Sequence, residues 1–451
     1  MCLETNKIYN MDCIEGMKLI EANSIDSIVT DPPYELGFMG KSWDNSGIAY
    51  NLEMWTEALR ILKPGGFLLA FGGTRTYHRM ACAIEDAGFE IRDQMQWIYG
   101  GGFPKSLNIG KAIDKNNGKY LVDYNEFGEY VKKCRENRGY SKSELDKLLG
   151  TNTAVAWWEG RNYLGKFEIQ LPSFENYKKL KKLLNMDDRF GKLIQWEEAK
   201  REVIGKGKAG LTSGNICNFA GTSEFDLTAP ATDQSKKYEG WGTALKPANE
   251  PICVARKPLG EKTVAANVLK YGTGGINIDD CRIGVGSNGR FPANIILDEA
   301  AGKILDEQSG IKQSQIRTSK YNNNTYSDKG GASRFFYCAK TSKKERNQGL
   351  EGFEEKQTDE SRKEGNPGGD NPRNRGVNKV KNTHPTLKPV KLMEYLVRLV
   401  TPKGGTVLDP FIGSGTTGMA AKGQGFNYIG FDMTPEYCEI AEARIKSVEK
   451  D

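Results

Sequence analysis

The chain has 451 residues, enough for two or three units that each bury a core, and its longest apolar runs, such as Phe67 to Phe71, are far too short to span a bilayer. The formal net charge of +6, from 64 Lys and Arg against 58 Asp and Glu, is compatible with a polyanionic partner without demanding one. Nine scattered cysteines with no Cys-x-x-Cys, two histidines (His78 and His384) and no leader-like start exclude a zinc site of ordinary spacing, and give the expectation of a cytoplasmic chain with reduced thiols, no metal and no membrane contact.

Residues 1 to about 112 alternate short apolar strands with amphipathic helices, the rhythm of an α/β unit with a parallel sheet. The pattern predicts a helix over Met11 to Ile20, a strand from Ser24 to Thr30 running into Asp31-Pro32-Pro33-Tyr34, and a helix from Leu52 to Leu62 closed by Lys63-Pro64-Gly65-Gly66. A buried strand over Phe67 to Phe71, a helix from Thr76 to Ala87 and a strand from Ile91 to Tyr99 follow. From Lys115 to Ala199 the composition turns to Lys- and Glu-rich amphipathic helix, as an inserted domain would. Pro251 to Arg256 reads as a strand rejoining the sheet, residues 260 to 340 as short strand candidates among Gly and Asn, and 341 to 382 as a charged loop nearly free of large apolar residues. The α/β rhythm resumes with a helix from Pro389 to Val400, a strand from Thr406 to Asp409, a Gly-rich loop, a strand from Asn427 to Phe431 and a helix from Pro435 to Val448.

Gly413-x-Gly415-x-x-Gly418, between a strand and a helix and with Asp432 nineteen residues beyond Gly413, satisfies a nucleotide-binding fingerprint that alone leaves the ligand open. Asp409 just before the loop would repel a pyrophosphate and favour a ligand carrying an ammonium and a sulfonium, so S-adenosylmethionine fits better than a nicotinamide dinucleotide. Lys388 either offers a charge to the methionine carboxylate or is a plain surface lysine. At the other end of the chain Pro32 and Pro33 make a rigid arch that displays Asp31 and Tyr34 at a strand end. An exocyclic amino group is a poor nucleophile because its lone pair is delocalised into the ring. A carboxylate and a carbonyl accepting its hydrogens would localise that pair, and Tyr34 offers a face for an extruded base.

SIVTDPPY (Ser27 to Tyr34), LKPGG (Leu62 to Gly66), THPTLKP (Thr383 to Pro389), LDPFIGSGTT (Leu408 to Thr417) and GFDMTPEYCEIA (Gly430 to Ala441), in that order, resemble the circularly permuted amino-group DNA methyltransferases. The resemblance implies that Asp31, Pro32, Pro33 and Tyr34 are catalytic. It places Asp12, with Cys13 beside it, on the cofactor adenine and Asp409, Phe411, Gly413, Ser414, Gly415 and Thr416 in the methionine-side loop. Asp432 matches the ribose acid, where the family more often has Glu. GFPKS (Gly102 to Ser106), GWGTALKPANEPI (Gly240 to Ile252) and ASRFFYCAK (Ala332 to Lys340) further resemble phage-borne members. An Asp in the first motif position is linked with N6 of adenine, a Ser with N4 of cytosine, so adenine is the expected target and cytosine the alternative.

Within the insert, Ser141 with Glu144 at capping-box spacing, Trp158-Glu159-Gly160-Arg161 and the following Leu171 to Leu184 resemble phage-repressor helix-turn-helix domains. There Asn152 and Thr153 would open the helix facing the major groove of double-stranded DNA. A helical insert that packs or binds a protein is the alternative.

The expected architecture is a class I methyltransferase (Rossmann-like) mostly parallel sheet. Its catalytic half is residues 1–115, and a helix-turn-helix-like insert follows over 116–204. Residues 205–259 return to the core, 260–382 are a target-recognition region with a mobile loop, and 383–451 are the S-adenosylmethionine-binding half. A regulator on an inactive scaffold is the rival that the intact Asp31 to Tyr34 and Gly413 to Gly418 segments argue against. A homodimer and a restriction partner are both left open.

Overall fold

The alternating strands and helices at the two ends of the chain meet in one nine-stranded sheet in the computed structural model of the protein. The structure describes all residues except 1–2, 37–41, 103–105, 120–123, 152–153, 164–165, 200–202, 209–223, 229–232, 285–288, 314–316, 320–321, 325–328, 341–343, 357–379 and 450–451. The strands are β1 (Lys7–Asn10), β2 (Ile25–Thr30), β3 (Leu62–Phe71), β4 (Glu90–Ile98), β5 (Asn249–Arg256), β6 (Ile295–Asp298), β7 (Tyr337–Ala339), β8 (Thr406–Asp409) and β9 (Asn427–Asp432). Their spatial order is β1-β9-β8-β2-β3-β5-β4-β6-β7. All neighbours are parallel except at β5, which runs antiparallel to both β3 and β4. The chain thus has the mixed α/β architecture with a large, mostly parallel sheet that its rhythm predicts.

A central parallel strand is covered on both faces, and every residue of β2 is buried. Successive side chains point to opposite faces, so Val29, Leu69 and Phe71 join a core with Leu392, Leu396 and Met419, while Ile28, Leu68 and Ala70 join a second with Met54, Trp55 and Ile61. The helix Leu52–Ile61 supplies Met54, Trp55, Ala58 and Ile61 at helical spacing, and Asn51 caps it by accepting the Glu53 and Met54 N–H groups. The polar pair inside β2 is satisfied: Asp26 accepts from Lys63 at 2.6 Å and from the Thr406 N–H at 2.8 Å, and the Ser27 and Thr401 hydroxyls share a hydrogen at 2.7 Å.

Three expectations are corrected. Lys63 to Gly66 do not form a separate turn but open β3, because Leu62 already pairs with Ile25 before a register shift. Residues 260–382 are not wholly outside the sheet, since β6 and β7 extend it beyond β4. At four and three residues both strands are too short to show a period of two. In the insert, Ser141 does cap the helix Lys142–Leu149 with the reciprocal Glu144 bond, but the expected next helix is a single 3-10 turn, Ala154–Trp157, soon ended by Gly160 at φ +78°. Asn152 and Thr153 lie outside the described residues.

The chain divides into two compact units, one of residues 1–102 and 248–451 that contains the sheet, the other lying within 103–247. The second has its own core of Phe127, Val131, Leu145, Leu149, Trp157, Leu180 and Phe190, drawn from the helices Tyr124–Arg138, Lys142–Leu149 and Phe174–Leu184 and the chain around them. No helix among the described residues is long and apolar enough to cross a membrane.

Candidate functional site

Four neighbouring parallel strands, β1, β9, β8 and β2, point their carboxyl ends to one edge of the sheet. The residues that follow them therefore gather there: Asp12 after β1, Asp432 ending β9, Asp409 and the Gly-rich loop ending β8, and Asp31 after β2. Open α/β sheets hold ligands in the crevice at such an edge. A direct bond joins the two halves of the chain, the Thr30 hydroxyl donating to Asp409 Oδ1 at 2.7 Å across 379 positions of sequence.

Asp31 to Tyr34 leave β2 as an arch with Pro32 buried and Pro33 half-buried. The exit is fixed by Asp44, which accepts the Glu35 and Leu36 N–H groups at 3.0 and 3.2 Å, and by the Thr76 hydroxyl, which donates to the Tyr34 carbonyl at 2.7 Å. Glu35 is left-handed at φ +55°, a conformation held in place by these contacts. The Asp31 carboxylate is asymmetric. Its Oδ2 accepts from Lys388 Nζ at 2.5 Å, whereas Oδ1 is screened from solvent and has no hydrogen-bond partner among the described residues.

Lys388 is only 8% exposed, and its ammonium also meets Tyr34 Oη at 3.1 Å and Glu250 Oε2 at 3.2 Å. Tyr34 Oη donates to the same Glu250 oxygen at 2.8 Å, closing a ring of Lys388, Tyr34 and Glu250 with Asp31 attached. Burial alone would lower the Lys388 pKa, but the Asp31 and Glu250 carboxylates outweigh it and raise the pKa above the ordinary lysine value. Burial, reinforced by the same two carboxylates, pushes the Tyr34 phenol well above its usual range. The ammonium thus makes two hydrogen bonds, to Asp31 and Tyr34, and an ion pair with Glu250. Lys388 is therefore neither a surface lysine nor, in this arrangement, a charge free for a ligand carboxylate.

Asp409 is 3% exposed, and burial pushes its pKa up to about 6 against the bonds that favour the anion. Its oxygens take the Thr30 hydroxyl, the Thr417 hydroxyl at 2.6 Å and the Phe411 N–H at 3.0 Å. It thus acts on the loop rather than presenting a free carboxylate to the crevice. Gly413 and Gly415 are both left-handed, at φ +51° and +83°, and a Cβ on Gly415 would sit 2.8 Å from that of Ala441. A Cβ on Gly413 would lie 2.7 Å from His384 Nε2, whose ring is brought down to about 4 by burial.

Ser414 and Thr416 are buried, and Phe411 packs half-buried on the second core. Arg444, wholly buried on the helix Pro435–Lys446, donates to the Ser414 carbonyl, to Ser414 Oγ at 3.1 Å and to the Glu345 carbonyl at 3.0 Å, and burial lowers its pKa to about 10. Asp432 accepts the Thr434 N–H through Oδ1 at 2.7 Å, and burial raises its pKa. Asp12 caps the helix Cys13–Lys18 through Oδ1, and the buried Cys13 thiol is pushed up to about 12.

The structure therefore gathers Asp31, Tyr34, Lys388 and Asp409 into contacts or one-step neighbours, and sets Asp12 and Asp432 along the same edge. Sequence reasoning missed Glu250, Thr30, Asp44, Thr417 and Arg444. For Glu250 the only signal was its place in the Gly240 to Ile252 match, and Thr30 and Thr417 sit inside motifs read for their neighbours.

A segment of 71 residues, 16% of this chain, is 45% identical to 26% of the type II methyltransferase M2.DpnII of Streptococcus pneumoniae. The chain spans about a quarter of the length of the curated relatives it matches. Among solved structures, that of the M1.HpyAVI–SAM complex aligns over 97% of this chain and 98% of its own at 15% identity and a TM-score of 0.36. The PvuII DNA methyltransferase (cytosine-N4-specific) aligns over 98% and 87% at 13% identity and a TM-score of 0.39. The family model N6_N4_Mtase, described as "DNA methylase", matches residues 25–443, and the chain belongs to that family.

Proposed function

We propose that the chain transfers a methyl group from S-adenosylmethionine to an exocyclic amino group in double-stranded DNA, N6 of adenine being the acceptor. The observation that carries the reading is Asp31, with one carboxylate oxygen held by Lys388 and the other buried without a partner beside the Gly-rich loop. The edge fits the donor: the carboxylates at Asp12 and Asp432 offer acceptors for adenosine hydroxyls and amine, and the glycines at 413 and 415 let the backbone approach the ligand. Asp12 and Asp432 would hold its adenosine end and residues 409–416 its methionine end. When bound, S-adenosylmethionine supplies an electrophilic methyl group on a sulfonium.

The protein's part is positioning and electrostatics. Asp31 Oδ1 accepts one hydrogen of the target amine and draws its lone pair out of the ring. The arch at Pro32 and Pro33 offers carbonyl acceptors without competing N–H donors. Tyr34, its hydroxyl locked by Glu250 and Lys388, presents a fixed ring against which an extruded base can stack. The insert within 103–247 is a second DNA contact in this reading, and Asp rather than Ser at position 31 favours adenine.

The test is incorporation of labelled methyl groups from S-adenosylmethionine into mixed-sequence duplex DNA, with Asp31→Ala as the control. Acid-precipitable label that depends on Asp31 is the expected result. Label that persists in Asp31→Ala, or absence of label with the wild-type chain on every duplex tried, overturns the reading.

A further inference from the structure

Nothing in the motif pattern gives Glu250 a role, and in the structure the Lys388 ammonium is engaged by Asp31, Tyr34 and Glu250. Glu250 lies on β5, the one antiparallel strand of the nine-stranded sheet, opposite Trp97, and reaches the end of β2 through Lys388 and Tyr34. A buried ammonium is retained only where it is hydrogen-bonded and its charge is balanced, and here Asp31 Oδ2 and Tyr34 Oη accept from it while Glu250 Oε2 pairs with it at 3.2 Å. Glu250 takes two donors at one oxygen and so sets where the ammonium stands. The ammonium in turn fixes which Asp31 oxygen is left open.

Resting on the methyltransferase reading above, we infer that Glu250 and Lys388 are a positioning pair: they clamp Asp31 Oδ2 and the Tyr34 hydroxyl so that Asp31 Oδ1 alone is offered to the target amine. Neither touches the reacting atoms; both act through Asp31 and Tyr34. The charge pattern gives the pair a signature. With Lys388 present, Glu250 helps, because it holds the cation in place. With Lys388 removed, Glu250 is a negative charge without its cation and harms, because it and the Asp31 carboxylate repel one another across the place the ammonium held. The sign of the Glu250 effect should therefore reverse between backgrounds, which a merely structural role would not produce.

The experiment measures single-turnover methyl transfer to duplex DNA, S-adenosylmethionine affinity by calorimetry and thermal stability for the wild type, Lys388→Met, Lys388→Arg, Glu250→Gln and the double variant Lys388→Met with Glu250→Gln. Lys388→Met should lose about 100-fold in rate, the scale of a misplaced catalytic group, with cofactor affinity nearly unchanged. Glu250→Gln alone should lose about 10-fold, within the range of a weakened positioning contact. Lys388→Arg, which keeps the charge, should retain more activity than Lys388→Met. The double variant should be faster than Lys388→Met.

A double variant no faster than Lys388→Met overturns the pairing. Loss of cofactor affinity in Lys388→Met with its rate retained at saturation returns Lys388 to the cofactor and overturns it as well. If Lys388→Met does not fold, Glu250→Gln and Lys388→Arg decide: wild-type rates in both overturn the inference. A wild-type chain that transfers no label defeats the functional reading itself, whereas an active wild type with indifferent variants defeats only this one.

Discussion

At the scale of single residues, the cost of leaving a buried acceptor unpaired is about 1–3 kcal/mol, and Asp31 Oδ1 carries it at the sheet edge where the strand ends gather. Asp31→Ala is expected to abolish methyl transfer while leaving S-adenosylmethionine binding nearly intact, because the Gly-rich loop is held by Asp409 and Arg444. Calorimetry alongside the activity assay checks this, and equal loss of both would contradict the division of labour. Asp409 gives a prediction of a different kind. Its folded pKa is raised to about 6 by burial, above the unfolded carboxyl range near 3.9, so the native state binds the proton more tightly. The stability this gives is complete below about pH 4 and is lost as pH rises through about 6. Asp409→Asn has no such proton to lose, so it should gain on the wild type between about pH 4 and 7 by as much as ~3 kcal/mol. Urea unfolding at a series of pH values reads the difference directly, and a difference that does not change with pH contradicts the assignment.

At the scale of elements, what the sequence disclosed was what periodicity and local motifs encode. The helix Val390–Val400 and the strands Thr406–Asp409 and Asn427–Asp432 fall where the apolar pattern puts them, within a residue. Asp31 and Asp409 could be read as chemistry because each sits in a short motif at a strand end. The ring of Glu250, Lys388 and Tyr34 could not, because its members come from three separate stretches of chain and meet only once β2, β3 and β5 pair. The 3-10 turn at Ala154–Trp157 escaped for the opposite reason: a repressor-like local pattern outweighed a segment too short for a full helix.

The Gly-rich loop supports a prediction at this level. Gly415→Val places a branched side chain at φ +83° and against Ala441, where strain alone costs about 1–3 kcal/mol. It should lower the melting temperature and weaken S-adenosylmethionine binding. Unchanged cofactor affinity would show that the loop does not hold the donor.

At the scale of the whole molecule, the chain leaves the sheet at the end of β4 and returns at the start of β5, where Ile98 and Asn249 are already partners. The unit within 103–247 is thus an excursion between two adjacent antiparallel strands, and a short turn could close the gap it leaves. Replacing it by such a turn should leave a folded sheet unit, since both sheet cores lie outside it. If that unit contacts phosphates, the truncated chain binds duplex DNA more weakly and with a shallower dependence on salt. An unchanged slope assigns it to another partner.

The central claim, transfer to an exocyclic amine and to adenine in particular, is tested most directly by the identity of the product. Duplex DNA of mixed sequence is incubated with the chain and methyl-labelled S-adenosylmethionine, digested to nucleosides and separated. The account predicts label in N6-methyldeoxyadenosine; label confined to N4-methyldeoxycytidine would contradict the assignment of the base, and label in C5-methyldeoxycytidine would contradict the chemistry proposed for Asp31.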